Sequence, residues 1–230
     1  MMRTTMAREL HDHWFKEAKR EGYRSRAIYK LREIDQKRKL LSPGDVVLDC
    51  GCAPGSWMQY VGERIGDRGV AIGVDLLDVT PLPGGNMHLL TGDLREVDDA
   101  LILEHAGLDP TRRFDVVLSD MAPNTTGHRD TDHHRSMGLC DLVLQRTGPL
   151  LRSGGHLVMK AFEGTNFQDL VRRVHLCFDE VRTMRPVASR SVSREMFVVA
   201  MHRRDDAEIT LPPPPSGGPP PVPEDWSVGR

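Results

Sequence analysis

A short apolar run that leads into a glycine-containing turn constrains the fold of this chain more than any other feature. Residues 46–49 are apolar up to a terminal aspartate, and Gly51 and Gly55 lie in the turn that follows. Such a run is typical of a buried parallel strand, and the glycines let the backbone approach a ligand closely. In an open α/β sheet the ligand binds where the first strand meets the first helix. The sequence therefore predicts a nucleotide-binding turn at residues 49–57.

The rest of the chain continues this alternation of strands and helices. Apolar runs predict further strands at residues 70–75, 87–90, 114–120, 156–160, 180–184 and 195–201. Apolar residues at spacings of three and four predict helices at residues 11–21, 26–40, 56–65, 97–106, 135–151 and 167–178. This order predicts an α/β fold with a mostly parallel, seven-stranded sheet and helices on both faces. Because no crossover helix fits between the last two strands, we expect the final strand to be antiparallel.

Charge and proline content divide the chain into three parts. Residues 1–40 carry twelve basic and six acidic side chains, a net charge of +6, so the remainder carries −8 within the total of −2. This asymmetry favours a polyanionic substrate, although a solvated helix face has the same composition. We expect a basic N-terminal helical arm at residues 1–40, packed on a catalytic domain at residues 41–204. Residues 205–230 contain eight of the sixteen prolines and are expected to form a disordered tail.

The composition disfavours membrane and secreted proteins. No run approaches the ~18 consecutive apolar residues of a membrane helix, and the first residues lack the apolar stretch of a signal peptide. Four scattered cysteines do not make a disulfide framework, so we expect a reducing compartment. The chain is therefore expected to be a cytoplasmic protein that does not contact a membrane.

Aspartates stand at the ends of three successive predicted strands. They are Asp49, Asp75 and Asp93, and Asp75 lies 20 residues after Gly55, the spacing at which an acid binds ribose hydroxyls in dinucleotide folds. Each alone has an alternative role as a turn or helix cap, but buried carboxylates are costly without a partner. A nicotinamide-dependent oxidoreductase is disfavoured, because the third glycine of G-x-G-x-x-G is missing and Trp57 follows the turn. The three carboxylates together predict a nucleotide-type cofactor at one edge of the sheet.

Charged side chains also close the next two strands along the chain. Asp120 ends the strand at 114–120 and Lys160 ends the strand at 156–160, so both are expected at the same rim of the sheet. Because a buried lysine needs an anion beside it, this pair is either a structural ion pair or a catalytic one. Lys30 in the arm and Glu195 at the start of the final strand complete a set of two lysines and two carboxylates.

Six segments occur in one order along the chain and together carry a family resemblance. They are residues 24–31, 49–57, 74–77, 119–124, 160–162 and 189–195. With these segments the chain resembles the FtsJ/RlmE ribosomal RNA 2′-O-methyltransferases over residues 11–203. The resemblance implies a Rossmann-like methyltransferase fold, S-adenosylmethionine as cofactor, and a uridine of large-subunit, 23S-type ribosomal RNA as target. Cys50, Cys52 and Ser56 depart from the family pattern, but all three are small and leave the turn intact.

The resemblance also implies a catalytic set. Its members are Lys30, Asp120, Lys160 and Glu195. Because a ribose hydroxyl is a poor nucleophile at neutral pH, we expect Lys160, held by Asp120 and Glu195, to act as a base or to orient the hydroxyl. For Lys30, contact with a phosphate is an alternative to a catalytic role.

The resemblance also implies cofactor contacts, and these agree with the nucleotide-binding turn predicted at residues 49–57. The family pattern places the methionine part of the cofactor beside Gly55 and Trp57, its ribose at Asp75, its adenine at Asp93 and its methyl sulfonium near Asp120. Asp49 and Gly51 complete the expected cofactor-binding residues through their place in the turn.

Basic residues of the arm are the expected RNA contacts, because Lys and Arg neutralise phosphates. These contacts are Arg24, Arg26, Arg32, Lys37 and Lys39, together with the segment 124–135. We expect no metal at the acidic and histidine residues of that segment (His128, Asp130, Asp132, His133 and His134), because methyl transfer needs none. Methylation of transfer RNA or of a messenger cap, and a non-catalytic RNA-binding role in ribosome assembly, are the alternatives that remain. The chain is expected to act as a monomer.

Overall fold

A seven-stranded sheet with helices on both faces forms the framework of the fold, as the alternation predicts. The computed structural model describes residues 13–189 and 193–205. The strands are β1 (Val46–Cys50), β2 (Val70–Asp75), β3 (Met87–Thr91), β4 (Phe114–Ser119), β5 (Leu151–Phe162), β6 (Phe178–Met184) and β7 (Glu195–Arg203). The helices are α1 (13–20), α2 (Ile28–Arg38), α3 (Ser56–Ile65), α4 (Asp99–His105), α5 (Arg129–Leu150) and α6 (Phe167–Cys177). The expected tail, apart from Asp205, and residues 1–12 of the expected arm lie outside the described residues.

The order of the strands explains how distant segments reach one edge of the sheet. The order is β3-β2-β1-β4-β5-β7-β6, and the pairs from β3 to β5 are parallel. Strand β7 runs antiparallel to both β5 and β6, which confirms the predicted antiparallel final strand. The first residue of β7, Glu195, therefore lies opposite Phe162 at the carboxyl end of β5. The carboxyl ends of β1, β2, β4 and β5 meet at this same edge, the usual position of a ligand site.

Two elements, α5 and β5, begin well before their predicted first residues. Helix α5 begins at Arg129 rather than at residue 135, because its first turn is polar and lacks the apolar periodicity on which the prediction rested. Asp132 stabilises this start, since its carboxylate accepts hydrogen bonds from the N–H groups of Thr126 (2.7 Å) and Gly127 (3.2 Å). Strand β5 begins at Leu151 rather than at residue 156, with an irregularity in its pairing with β4 that contains Gly154 at φ 71°. Gly154 thus lies in a bulge within the strand.

Alternate residues of the strands face two separate apolar layers. Helices α4, α5 and α6 pack on one face of the sheet, against residues such as Leu48 and Val117. Helices α1, α2 and α3 pack on the other face, where Leu31 and Ile34 of α2 are fully buried. Burial of each of these two side chains stabilises the fold by about 1.5–3 kcal/mol. The described helices of the N-terminal segment are therefore part of the apolar core.

Within residues 13–189 and 193–205, no helix is both long enough and apolar enough to cross a membrane.

Candidate active site

A cleft lies at the carboxyl edge of the sheet, where β1 ends and α3 begins. It contains about 220 Å³ of space, part of which is open to solvent. Its walls come from the β1–α3 turn, from the residue after β4 and from the segment before α2. The lining residues are Ala27, Asp49, Gly51, Cys52, Ala53, Pro54, Ser56, Trp57 and Asp120. The structure thus brings together five residues that the sequence predicts for the cofactor or catalytic sites: Asp49, Gly51, Trp57 and Asp120 line the cleft, and Gly55 lies in its turn.

Two glycines of the turn have backbone conformations that residues with a side chain rarely adopt. Gly51 has φ 76° and Gly55 has φ 102°. A Cβ atom on Gly51 would lie 2.2 Å from Cγ of Met121. The N–H of Gly51 donates to the carbonyl oxygen of Val74 at 2.8 Å, which ties the turn to β2. The turn therefore requires glycine at both positions, because a side chain would strain the backbone there and, at Gly51, would clash with Met121.

The carboxylate of Asp49 is buried in the wall of the cleft. Its side chain is 1% exposed, and neither carboxylate oxygen has a hydrogen-bond partner among the described residues. Burial, with smaller contributions from the charges of Asp120 and Asp75, raises the pKa of Asp49 well above its usual value. A buried carboxylate without a partner is costly. A ligand that carries N–H donors or a positive charge would fit this side of the cleft.

Asp75 and Asp93 occupy different surroundings. The Asp75 carboxylate accepts the N–H of Ala53 at 2.8 Å and that of Leu77 at 2.9 Å, so it joins the cleft turn to the loop after β2. Asp93 follows β3 and forms an ion pair with Arg95, whose hydrogen bond to the carboxylate is the main cause of the lowered pKa of Asp93. Asp75 is therefore held by the backbone of the cleft, whereas Asp93 is held by a side chain two residues away.

Four charged residues converge beside the cleft. The Lys160 ammonium lies 2.9 Å from Asp120 Oδ1 and also donates to the Asp120 carbonyl oxygen. The Lys30 ammonium lies 3.1 Å from Glu195 Oε2 and 3.5 Å from Asp120 Oδ1. Both lysines are buried, with side chains 6% and 7% exposed. The cluster is continuous in the order Lys160, Asp120, Lys30, Glu195. Glu195 pairs with Lys30 rather than with Lys160, so the expectation that Glu195 also holds Lys160 was wrong.

Helix α5 fixes the end of the strand that carries Lys160. Ser136 Oγ accepts the N–H of Phe162 at 2.9 Å, and Cys140 Sγ donates to the carbonyl oxygen of Lys160 at 3.3 Å. His133 Nδ1 donates to the carbonyl oxygen of Phe162 at 2.9 Å, while its Nε2 accepts the N–H of Asn166 at 3.0 Å. The sequence analysis missed these contacts, although positions 133, 136 and 140 have the spacing of one helix face.

Two of the three histidines of the segment 124–135, His133 and His134, have backbone partners for their side chains. His133 binds Phe162 and Asn166, and His134 Nδ1 donates to the carbonyl oxygen of Asp130 at 2.7 Å. Asp132 binds the backbone before α5. In the described part of the chain, no group of three or more His, Cys, Asp or Glu side chains has the geometry of a metal site.

The basic residues expected to contact RNA are largely engaged within the chain. Arg24 donates to three backbone carbonyl oxygens, and Arg26 approaches that of Ala188 at 3.5 Å. Arg32 binds Glu21 at 3.1 Å, and its guanidinium lies 5.2–5.9 Å from the ring centroids of three tyrosines. Lys37 pairs with Glu33 at 2.6 Å on the exposed side of α2. Lys39 is the left-handed residue that ends α2.

Comparisons with known proteins agree on one family. The family model for FtsJ-like methyltransferases matches residues 23–203. Ribosomal RNA large subunit methyltransferase E of Acinetobacter baumannii is 41% identical over 202 residues, which cover 88% of this chain and 92% of that protein. The protein of the same name from a Psychrobacter species is 45% identical over 197 residues, 85% of this chain and 91% of that protein. A crystal structure of a ribosomal RNA methyltransferase from Plasmodium falciparum has a TM-score of 0.70 and 28% identity, and the match covers 79% of this chain and 98% of that one.

Proposed function

This chain belongs to the FtsJ-like methyltransferase family, and we propose that it transfers a methyl group from S-adenosylmethionine to a ribose 2′-hydroxyl of large-subunit ribosomal RNA. The curated relatives that match it over most of their length are named as large-subunit ribosomal RNA methyltransferases. We propose a uridine of 23S-type RNA as the target and the cytoplasm as the compartment.

One observation carries the proposal. Asp120 lines the cleft and at the same time pairs with Lys160 and Lys30. The ligand cleft and the charged cluster are therefore adjacent, with one residue shared between them. This arrangement suits a reaction in which a group passes from a ligand in the cleft to a nucleophile bound at the cluster.

The residues of the cleft fit the chemistry of S-adenosylmethionine. Asp49 offers to a donor group a carboxylate that has no hydrogen-bond partner in residues 13–189 and 193–205. Asp75 lies where an acid accepts hydrogen bonds from ribose hydroxyls. Gly51 lines the cleft without a side chain, so a ligand there would lie close to the backbone. We assign Trp57 and Asp93 to the methionine and adenine ends of the site. When bound, S-adenosylmethionine supplies a methyl group on a sulfonium, an electrophile that an oxygen nucleophile can attack.

The charged cluster would prepare the nucleophile. Lys160, held by both the carboxylate and the carbonyl oxygen of Asp120, would orient the 2′-hydroxyl or accept its proton. Lys30, held between Asp120 and Glu195, would keep the Asp120 carboxylate in place or contact a phosphate of the RNA. Alignment of two reactants is worth about 7–11 kcal/mol of the barrier, and proton removal adds about 10²–10⁴-fold in rate. All four residues come from one chain, so we propose that a monomer is active.

Transfer of a labelled methyl group tests this function. Purified protein with labelled S-adenosylmethionine is offered intact large ribosomal subunits, free large-subunit RNA and transfer RNA in parallel. We expect label in the large-subunit RNA, in a dinucleotide that survives alkaline hydrolysis, because a methylated ribose 2′-oxygen cannot attack the adjacent phosphodiester. Label in transfer RNA alone would replace the proposed substrate, and binding to subunits without any transfer would favour a non-catalytic assembly role.

A further inference from the structure

Arg24 lies in the segment between α1 and α2 and binds two loops of the cofactor cleft at once. Its Nη1 donates to the carbonyl oxygen of Pro54 at 3.0 Å and to that of Thr80 at 2.7 Å, and its Nη2 donates to that of Pro81 at 2.9 Å. Pro54 belongs to the turn between β1 and α3, while Thr80 and Pro81 belong to the loop after β2. One guanidinium therefore joins the two loops.

The two loops that Arg24 joins are those that carry the proposed cofactor contacts. The first loop holds Gly51 and Gly55, and the second begins directly after Asp75. Arg24 also packs closely on the first loop, since a Cβ atom on Gly55 would lie 2.8 Å from Nη1 of Arg24. Arg24 thus adds a second link between the two loops, beside the hydrogen bond from the Ala53 N–H to Asp75, and helps to set the width of the cleft at the Asp75 side.

The rest of the segment continues the same contact with the cleft. Ser25 Oγ and Ser56 Oγ share a hydrogen bond of 2.7 Å at the start of α3. The indole N–H of Trp57 donates to the carbonyl oxygen of Ala27 at 2.8 Å, and Ala27 itself lines the cleft. The backbone N–H of Arg24 donates to Gln59 Oε1 at 2.9 Å. Residues 24–27 therefore form a wall of the cleft rather than a separate arm.

The guanidinium of Arg24 has little capacity left for a phosphate. Three of the five N–H donors of the group are directed at carbonyl oxygens, including both donors of Nη1. Because the guanidinium is planar and its donors point in fixed directions, a bidentate phosphate contact would have to break some of these bonds. The geometry favours a role in the cleft over the RNA contact that the charge pattern predicts.

We propose that Arg24 is a positioning residue for the cofactor, which holds the two loops of the cleft at the separation that S-adenosylmethionine requires. The proposal rests on the proposed function only for the identity of the cofactor. It predicts that removal of the guanidinium weakens cofactor binding and leaves the electrostatic part of RNA binding unchanged.

Cofactor affinity and the salt dependence of RNA affinity test this role in three variants. Arg24→Ala removes the contacts, and Arg24→Lys keeps the positive charge but replaces the planar fork with one ammonium. Lys19→Ala is the matched control, because Lys19 is an exposed basic residue of the same N-terminal region that is not among the expected cofactor or RNA contacts. The Kd for S-adenosylmethionine is measured by calorimetry without RNA, and the Kd for large-subunit RNA is measured over a series of salt concentrations.

The proposal expects both Arg24 variants to lose at least tenfold in cofactor affinity, with an unchanged salt slope for RNA. It also expects the KM for the cofactor to rise in both variants while kcat at saturating cofactor and the KM for RNA stay close to those of the wild type. A general loss of structure would lower kcat as well. If Arg24→Ala fails to fold, Arg24→Lys still tests the proposal.

The opposite pattern would overturn the proposal. If Arg24 contacts a phosphate, Arg24→Ala keeps the wild-type cofactor affinity and reduces the salt slope by about 0.7–0.9, the value for one neutralised phosphate, while Arg24→Lys behaves like the wild type. Wild-type protein that binds S-adenosylmethionine but methylates no RNA would refute the proposed function. The role of Arg24 would still be tested in that case, because cofactor binding is measured without RNA.

Discussion

The cofactor half and the transfer half of the site are built in different ways. The cofactor half, which comprises the β1–α3 turn and the loop after β2, is formed by backbone groups and by residues close together in the sequence. The transfer half, which comprises Lys30, Asp120, Lys160 and Glu195, is formed by side chains from four distant segments. Local sequence therefore forms the two loops of the cofactor half, with Arg24 as a link from a distant segment, whereas the topology of the sheet assembles the transfer half.

This difference separates the expected effects of mutations. A change in the transfer half should alter the rate of methyl transfer and leave cofactor affinity intact, because its side chains contact one another rather than the loops of the cleft. A change in the cofactor half should alter cofactor affinity, and saturation with the cofactor should restore the rate. Asp120 belongs to both halves, since it lines the cleft and pairs with both lysines.

Lys160→Ala should have the largest effect. We expect the single-turnover rate to fall by about 10²–10⁴-fold, the usual contribution of a general base, with a cofactor Kd within about twofold of the wild type. Lys160→Arg keeps a cation beside Asp120 but cannot accept a proton at neutral pH. If Lys160 only orients the hydroxyl, the Arg variant retains part of the rate. A wild-type rate in the Ala variant would remove Lys160 from the mechanism.

Asp75→Asn should have the next largest effect, a loss of affinity for the cofactor. In the wild type, the backbone N–H groups of Ala53 and Leu77 both donate to the Asp75 carboxylate. In the variant, the NH₂ group of the side-chain amide would face one of these two donors, and that hydrogen bond would be lost. We expect the cofactor Kd to rise by roughly 10- to 100-fold, the value of one charge-assisted hydrogen bond. The matched control is Asp78→Asn, an exposed aspartate of the same loop. A lower rate at saturating cofactor would contradict the division into two halves.

Asp49→Asn should stabilise the protein while it weakens cofactor binding. Because burial raises the pKa of Asp49, its carboxyl favours the folded state at low pH and destabilises that state as pH rises through the raised pKa. The amide removes this cost, so we expect the free energy of unfolding without cofactor to increase by ~1–3 kcal/mol at pH 8. The gain should shrink at pH 5. Denaturant unfolding at both pH values measures it, and a destabilised variant would show that the carboxylate has a partner.

Ser136→Ala should have the smallest effect, and only on transfer. The variant leaves the N–H of Phe162 without its acceptor at the end of the strand that carries Lys160. Since a hydrogen bond contributes about 1 kcal/mol, we expect the transfer rate to fall about fivefold while the cofactor Kd stays constant. Ser153→Ala is the control, because Ser153 lies near the start of the same strand, whereas Lys160 lies near its end. An equal loss in both variants would indicate a general weakening of β5.

The sequence predicts the cofactor half better than the transfer half for a physical reason. Apolar runs, turn glycines and aspartates at strand ends are local signals, and the structure places Asp49, Gly51 and Asp75 at the predicted edge of the sheet. The family resemblance named the members of the charged cluster, but their pairing depends on the insertion of β7 between β5 and β6. For this reason the partner of Glu195 was predicted as Lys160 and is Lys30.

Charge composition alone does not distinguish RNA contacts from internal contacts in the N-terminal segment. The excess of basic residues predicts an RNA-binding arm, yet Arg24 and Arg32 are held by carbonyl oxygens, a carboxylate and tyrosine rings. A basic residue that binds the protein's own backbone has the same sequence signature as one that binds a phosphate. The polar start of α5 was missed for a related reason, because its stability comes from Asp132 and backbone contacts rather than from an apolar face.

The most direct test of the central claim is a map of ribose methylation in large-subunit RNA from cells that lack this protein. Such cells are complemented with the wild-type protein or with Lys160→Ala at equal abundance. We predict that one 2′-O-methylated uridine is lost in the deletion, returns with the wild-type protein and remains absent with Lys160→Ala. Restoration by Lys160→Ala, or an unchanged map in the deletion, would contradict the claim that this chain methylates large-subunit RNA through Lys160.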